Sequence, residues 1–249
     1  MNLCKGRLLS FIMMAAAYGG YCFSQEKVFI GSDNLFVPNG FDSNDNVEVV
    51  VTGDLPNTCY LRPEGKVAVS DTKILITMMA TKVSGEETNC IMAVVPYMVS
   101  VPLGQLSEGY YSVLVNPQTP AEKNGSLHVA RPNYNSINNF PYANVMHIEA
   151  VSGQDKIILK GVHPSGCMEI ERVEIYANDK RDTYSILPII KATMPICDQM
   201  MTSFSYTLDL PPSPHAKQLL HVRKIDGTAI NYLLSHTYRK DKKRREIQG

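Results

Sequence analysis

His128, His147, His163, His215, His221 and His236, four cysteines at 59, 90, 167 and 197, and an acidic cluster at 42–48 carry the chemistry available to this 249-residue chain. Such side chains suit proton transfer, nucleophilic attack or metal ligation. Their spacing does not organise them for any of these. No histidine lies in H-E-x-x-H and no serine in G-x-S-x-G, the local patterns of zinc proteases and α/β-hydrolases. Catalytic groups that meet only in space leave no such pattern, so a hydrolase of unrecognised type stays open as a third reading. The expectation is a protein that is not an enzyme and uses no cofactor.

The stretch "GFDSNDNVE" gathers Asp42, Asn44, Asp45, Asn46 and Glu48, oxygen donors of the kind that hold calcium. The order of an EF-hand loop, with its central glycine and closing glutamate, is not met. A turn between strands rich in Asn and Asp accounts for the same letters. No metal site is assigned, and calcium at residues 40–48 stays open. The methionine pairs Met78-Met79 and Met200-Met201 are read as core filling, one of each pair facing inward from a strand.

The chain ends in "TYRKDKKRREIQG", with Arg239, Lys240, Lys242, Lys243, Arg244 and Arg245 crowded around Asp241. Like charges this close keep a tail extended. It is either a solvated terminus or a patch that docks on an anionic surface, such as lipid headgroups, lipopolysaccharide or an acidic subunit, and salt would weaken that docking. Over the whole chain, tail included, 24 basic and 24 acidic residues balance, which leaves no bulk basic surplus for nucleic acid.

The elements that position these residues are written twice. "VVVTGDLPNTC" at 49–59 returns as "IILKGVHPSGC" at 157–167, so that Gly53, Pro56 and Cys59 recur as Gly161, Pro164 and Cys167 at an offset of 108, and Cys90 recurs as Cys197 at 107. At that second offset Leu103 falls on Leu210 and Val113 on Leu220. Each half then shows a turn signal, Asn124-Gly125 and Asp226-Gly227, before a last apolar run. With Cys4 and Cys22 set aside because they fall in residues 1–24, the four remaining cysteines allow three pairings, and the repeat selects Cys59 with Cys90 and Cys167 with Cys197, one staple within each half. Neither pair forms a C-x-x-C, so a structural bridge is favoured over a redox or metal site.

Period-two alternation predicts strands near 27–31, 47–52, 66–70, 73–80, 90–95, 97–103, 110–115 and 126–130, then 145–151, 156–161, 169–176, 183–190, 202–210, 218–224 and 229–235. Asp226-Gly227 is the sharpest hairpin signal. The chain is therefore read as all-β, two antiparallel immunoglobulin-like β-sandwiches in tandem, with domain 1 over 25–131, domain 2 over 132–237 and a basic disordered tail over 238–249. The prolines and asparagines of "RPNYNSINNFPYAN" at 131–144 mark the linker.

Residues 1–24 have the layout of a cleaved signal peptide: Lys5 and Arg7, an apolar run over 8–18, then small and turn-forming residues. As a helix that run is about 16 Å long, half of a bilayer core. Lipidation at Cys22 would want a small residue before it, where Tyr21 stands, so cleavage after Ser24 is expected. No later apolar run reaches the roughly 18 residues of a spanning helix. These features predict an exported protein of the periplasm or outer-membrane surface, where disulfides persist.

The combination of "FVPNGFDSNDNVEVVVTGDLPNTCY", Cys90 and "VPYMVSVPLGQLSEGYYSVLVN" resembles a sandwich module of exported bacterial proteins, in which a Pro-x-x-Cys corner, a second cysteine about thirty residues on and a Leu-Gly-x-Leu-x-x-Gly-x-Tyr corner follow one another. The resemblance covers residues 36–116 well and 156–224 loosely, the second half lacking Gly104 and the Gly109-Tyr110 pair. It implies modules used for holding and binding. It extends to accessory outer-membrane core subunits of Dot/Icm-type (type IVB) secretion systems, whose partners are other envelope proteins. A free binding module for carbohydrate, adhesion or protease inhibition, with contacts on loops such as 54–65 or 162–168, is the alternative.

Overall fold

The computed structural model describes residues 24–85, 89–132 and 141–235. The leader with Cys4 and Cys22, most of the linker, His236 and the basic tail lie outside the described residues. Among the described residues nine strands occupy the first half: β1 Ser24–Phe29, β2 Asn34–Phe36, β3 Phe41–Asp42, β4 Val47–Leu55, β5 Tyr60–Ser70, β6 Lys73–Ser84, β7 Val95–Gly104, β8 Gly109–Val115 and β9 Lys123–Ala130. Seven follow: β10 Asn144–Ala150, β11 Lys156–His163, β12 Met168–Ala177, β13 Thr183–Ala192, β14 Thr202–Asp209, β15 Lys217–Arg223 and β16 Ala229–Ser235. No helix among the described residues is long and apolar enough to cross a membrane.

Each half is a sandwich of two sheets, and the strand order repeats. In the first, β2-β4-β7 faces a sheet in which β6 pairs β5 on one edge and β1 and β8 on the other, continuing through β9 to β3. In the second, β10-β11-β14 faces β12-β13-β15-β16. The parallel pairing of β6 with β8 recurs as that of β13 with β15. Among the described residues no strand of one half pairs with a strand of the other.

Two apolar cores result. Val49, Val51, Ile74, Ile76, Met78 and Val113 are fully buried in the first, and Ile157, Leu159, Tyr184, Ile186, Leu220 and Val222 in the second. The repeated glycine has a packing reason: a Cβ at Gly53 would lie 2.8 Å from the Tyr97 ring, and one at Gly161 would run into the Asn144 backbone carbonyl oxygen and lie 2.9 Å from the Phe204 ring. Each glycine seats the aromatic ring of the neighbouring strand. In the first half Tyr111 turns back to donate to the Ser107 carbonyl at 2.9 Å, a tyrosine corner, while in the second Tyr184 of β13 donates to the Pro212 carbonyl at 3.1 Å.

Several sequence expectations need correction. Residues 90–94 form no strand, because Cys90 is bonded to Cys59 and the Thr58 and Ile91 backbones hold this segment on the β4–β5 turn. Asn124 and Gly125 lie inside β9; the β8–β9 turn is built instead around Asn116, at φ 52, whose side chain accepts from the Met78 N–H and donates to the Ile30 carbonyl and Ser32 hydroxyl. Met200 and Met201 precede β14 and are 66% and 73% exposed, so neither fills the core, whereas Met78 does. The short β2 and β3 fall between the strands expected at 27–31 and 47–52. Asp226-Gly227 makes the expected hairpin, with Lys224 and Thr228 bonded across it.

The bridges are Cys59–Cys90 and Cys167–Cys197, with Cα separations of 5.3 and 5.6 Å. Replacing either pair by alanine is expected to cost about 3–4 kcal/mol, the loop-closure entropy of a loop near thirty residues. Urea titration of each double variant checks this; a loss under about 1 kcal/mol would show the bridge to be dispensable.

Candidate functional site

The residues with unusual environments meet where the two sandwiches touch. β4 is buried on both faces: Val49 and Val51 point into the first core, while Val50 joins Phe36, Leu219 and Leu233 in a small apolar cluster across the contact. Alternation along β4 thus serves two interfaces with one run of valines.

Around that cluster the contact is polar. Arg223, at the end of β15, donates to Asp45 Oδ2 at 2.7 Å and to the Gly40 carbonyl at 2.6 Å, and its guanidinium lies 4.3 Å from the centre of the Phe41 ring. Both members of the ion pair are buried. Burial pushes the Asp45 carboxyl above the usual carboxylate range, and the attraction of Arg223 offsets this only in part. The Asp45 oxygen that meets Arg223 also accepts from the Asp42 N–H, which fixes the turn.

Beside this pair Asn231 of β16 donates to Glu48 Oε1 and to the Ser100 hydroxyl, both at 2.8 Å, and its own oxygen faces His221 Nδ1 at 2.9 Å. With both amide donors engaged, the amide oxygen is the acceptor and Nδ1 carries the proton. His221 is fully buried, and desolvation lowers its pKa to about 3. Its 3.4 Å approach to Glu48 is therefore a contact of a neutral ring with a carboxyl whose own pKa burial raises.

Two cavities flank Arg223. One of about 270 Å³ is bounded by Phe41, Val47, Glu48, Pro102, His221 and Thr228; the other, of about 450 Å³, by Asn39, His128, Tyr142, Arg172, Glu174 and Tyr176. The arrangement supplies hydrogen-bonding groups and aromatic faces for a small polar molecule.

The acidic turn weighed for calcium is committed elsewhere: Asp45 to Arg223 and Glu48 to Asn231. Among the described residues no three His, Cys, Asp or Glu side chains are grouped as they would be around a metal ion. His163 is buried against Phe204 with centroids 4.5 Å apart, His128 lies on Tyr110, and His215 Nε2 faces the Lys180 carbonyl. The cysteines are joined within each half, remote from Arg223 in sequence. The six basic residues of the tail lie outside the described residues. Sequence reasoning missed Arg223, Asn231 and Glu48 as a group; the sole trace was a polar run, His221 and Arg223, inside an apolar strand.

A second surface is apolar. Next to the second cysteine of each half, Ile91, Met92 and Val94 after Cys90, and Met194, Ile196, Met200 and Met201 on either side of Cys197, are exposed, Ile196 to 87%. Both segments are held at one point by a disulfide. Contiguous exposed apolar side chains of this kind mark contact surfaces.

Residues 49–126, from β4 into β9, match the family model of the ORF11 beta-sandwich domain. This stretch contains the Cys59–Cys90 bridge and the tyrosine corner. No curated protein and no solved structure gives a match.

The buried neutral imidazole makes stability depend on pH with a defined sign. Because the folded pKa of His221 lies below the usual value, its contribution is complete above about pH 6.5 and is lost as pH falls toward 3, where the unfolded chain binds the proton first. Asp45 and Glu48, raised by burial, act in the opposite direction. His221→Gln keeps the amide partner and is expected to flatten the decline between pH 6.5 and 4 in urea titrations; an unchanged slope would place the titrating group elsewhere.

Proposed function

We propose that the chain is a non-catalytic structural or interaction protein, exported to an oxidising compartment, and an accessory subunit of a bacterial cell-envelope assembly. In its narrower form the reading makes the assembly the outer-membrane core of a Dot/Icm-type secretion system. Two disulfides fit the oxidising setting. The observation that carries an interaction role is the repeated display of exposed apolar side chains at 91–94 and 194–201, each pinned to its sandwich by a disulfide. Pinning lowers the ordering cost of binding. The basic residues 239–245 add attraction to an anionic neighbour.

A free binding module is the second reading, favoured by the cavity of about 450 Å³ with Tyr142 and Tyr176 on its wall, apt for a sugar ring beside polar groups. The two separate in native extracts. Assembly predicts that the protein leaves detergent-solubilised envelopes in a particle far larger than its own 27.7 kDa, and that Ile196→Asp with Met201→Asp releases it without altering its thermal unfolding. Recovery of the unaltered protein as a free monomer would refute the assembly reading.

A further inference from the structure

Every sheet has edges, and a bare edge strand invites pairing with another chain. In this protein almost every edge carries a device against it. β5 contains Pro63, Arg62 and a register shift at Leu61/Glu64; β12 carries Glu169, Glu171, Arg172 and Glu174 and a shift at Ile170/Arg172; β1 carries Glu26 and Lys27. β2 and β3 are two or three residues long, and β10 is shifted between Val145 and His147. β16 is occupied by the other half through Asn231 and Leu233.

The pair β7 and β14 is the informative comparison, because the repeat puts them in one place. Tyr97, Val99 and Val101 of β7 face Gly53, Val51 and Val49, while Phe204, Tyr206 and Leu208 of β14 face Gly161, Leu159 and Ile157. β7 holds prolines at 96 and 102, an even spacing that gives both one orientation, the one in which the missing N–H belongs to the open edge. The corresponding positions in β14 are Ser203 and Asp209. β14 has no proline, no register shift over its eight pairs with β11, and no charge from Thr202 through Leu208.

The two also differ in cover. Tyr97 and Val101 are buried, the latter under Gly65 of β5, where a Cβ would come within 2.8 Å of the valine methyls. In the second half Val173 stands in place of Gly65: it pairs Pro188 on β13 as Gly65 pairs Met78 on β6. A valine cannot make so close an approach. Phe204, Tyr206 and Leu208 are left only half-buried.

We infer that β14 is a strand-addition edge and that its occupant is β14 of a second copy of this chain, paired antiparallel. Pairing joins the β10-β11-β14 sheets of two copies into one six-stranded sheet. The strand suits itself. Ser and Thr alternate with Phe, Tyr and Leu, so antiparallel partners set hydroxyls against hydroxyls and apolar groups against apolar groups, and the uncharged stretch brings no like charges together. Met200 and Met201, exposed just before the strand, continue the covered surface. This inference concerns the β14 edge alone and does not rest on the envelope reading.

Sedimentation velocity of the purified protein over a wide concentration range tests it. A reversible dimer is expected, and Ser203→Pro with Ser205→Pro, which gives β14 the protection β7 already has, shifts the mass to monomer at every concentration. Should the proline variant not fold, Ser205→Lys places like charges across the two-fold axis, leaves the ladder to β11 intact and gives the same monomer. An unaltered protein that stays monomeric throughout, dimers that survive both variants, or a strand taken only from a different protein would overturn the inference.

Discussion

A guanidinium buried between two sandwiches has to be neutralised where it sits, and in this protein the neutralising carboxylate comes from the other half. Arg223 and Asp45 lie 178 residues apart in sequence and 2.7 Å apart in space. Burying such a pair adds little net stability, since desolvation consumes most of the attraction. What it adds is orientation. An apolar cluster such as Phe36, Val50, Leu219 and Leu233 tolerates sliding, but an arginine that also holds the Gly40 carbonyl and covers the Phe41 ring does not. Asn231, joined to Glu48, Ser100 and His221, makes a second fixed point nearby. Together with the bonds from Asn39 to Ser185 and Ala177, from Ser126 to Asp179 and from Lys180 to the Asn124 carbonyl, these contacts set how one half faces the other.

The repeat gives the two bodies one plan, and they differ in its details. Both keep the glycine that seats an aromatic ring, the disulfide from the β4–β5 or β11–β12 turn, and the parallel strand pair in the larger sheet. The first half closes its core with a tyrosine corner, a glycine in β5 and prolines on β7. The second instead ties Tyr184 to the Pro212 carbonyl and leaves β14 without the closing devices. A repeat compared with itself is a control: features present in only one copy are not demanded by the fold.

The parts legible in sequence were those set by local pattern. The cysteine pairing followed from a constant offset, most strands from alternation, and the β15–β16 hairpin from Asp226-Gly227. Residues 90–94 failed because an apolar run reads as a strand until a disulfide and the Thr58 bonds draw it onto a turn. Met200 and Met201 failed because apolar character does not reveal whether a segment lies in a strand or beside one. The acidic turn gave its composition but not its partner: nothing near Asp45 in the chain announces Arg223. Long-range pairing of single polar residues leaves no periodicity, and such pairs surround the apolar cluster in the contact between the halves.

A double-mutant cycle by equilibrium denaturation, using Asp45→Asn, Arg223→Gln and both together, measures the coupling on which the fixed two-sandwich unit depends. Each single variant should cost about 3–5 kcal/mol by leaving its partner buried without compensation. The double variant, which removes both buried charges together, should cost less than either single one, giving a coupling of at least about 2 kcal/mol. Effects that add to within about 0.5 kcal/mol would mean that the two side chains do not meet, and that the halves are not locked by this pair.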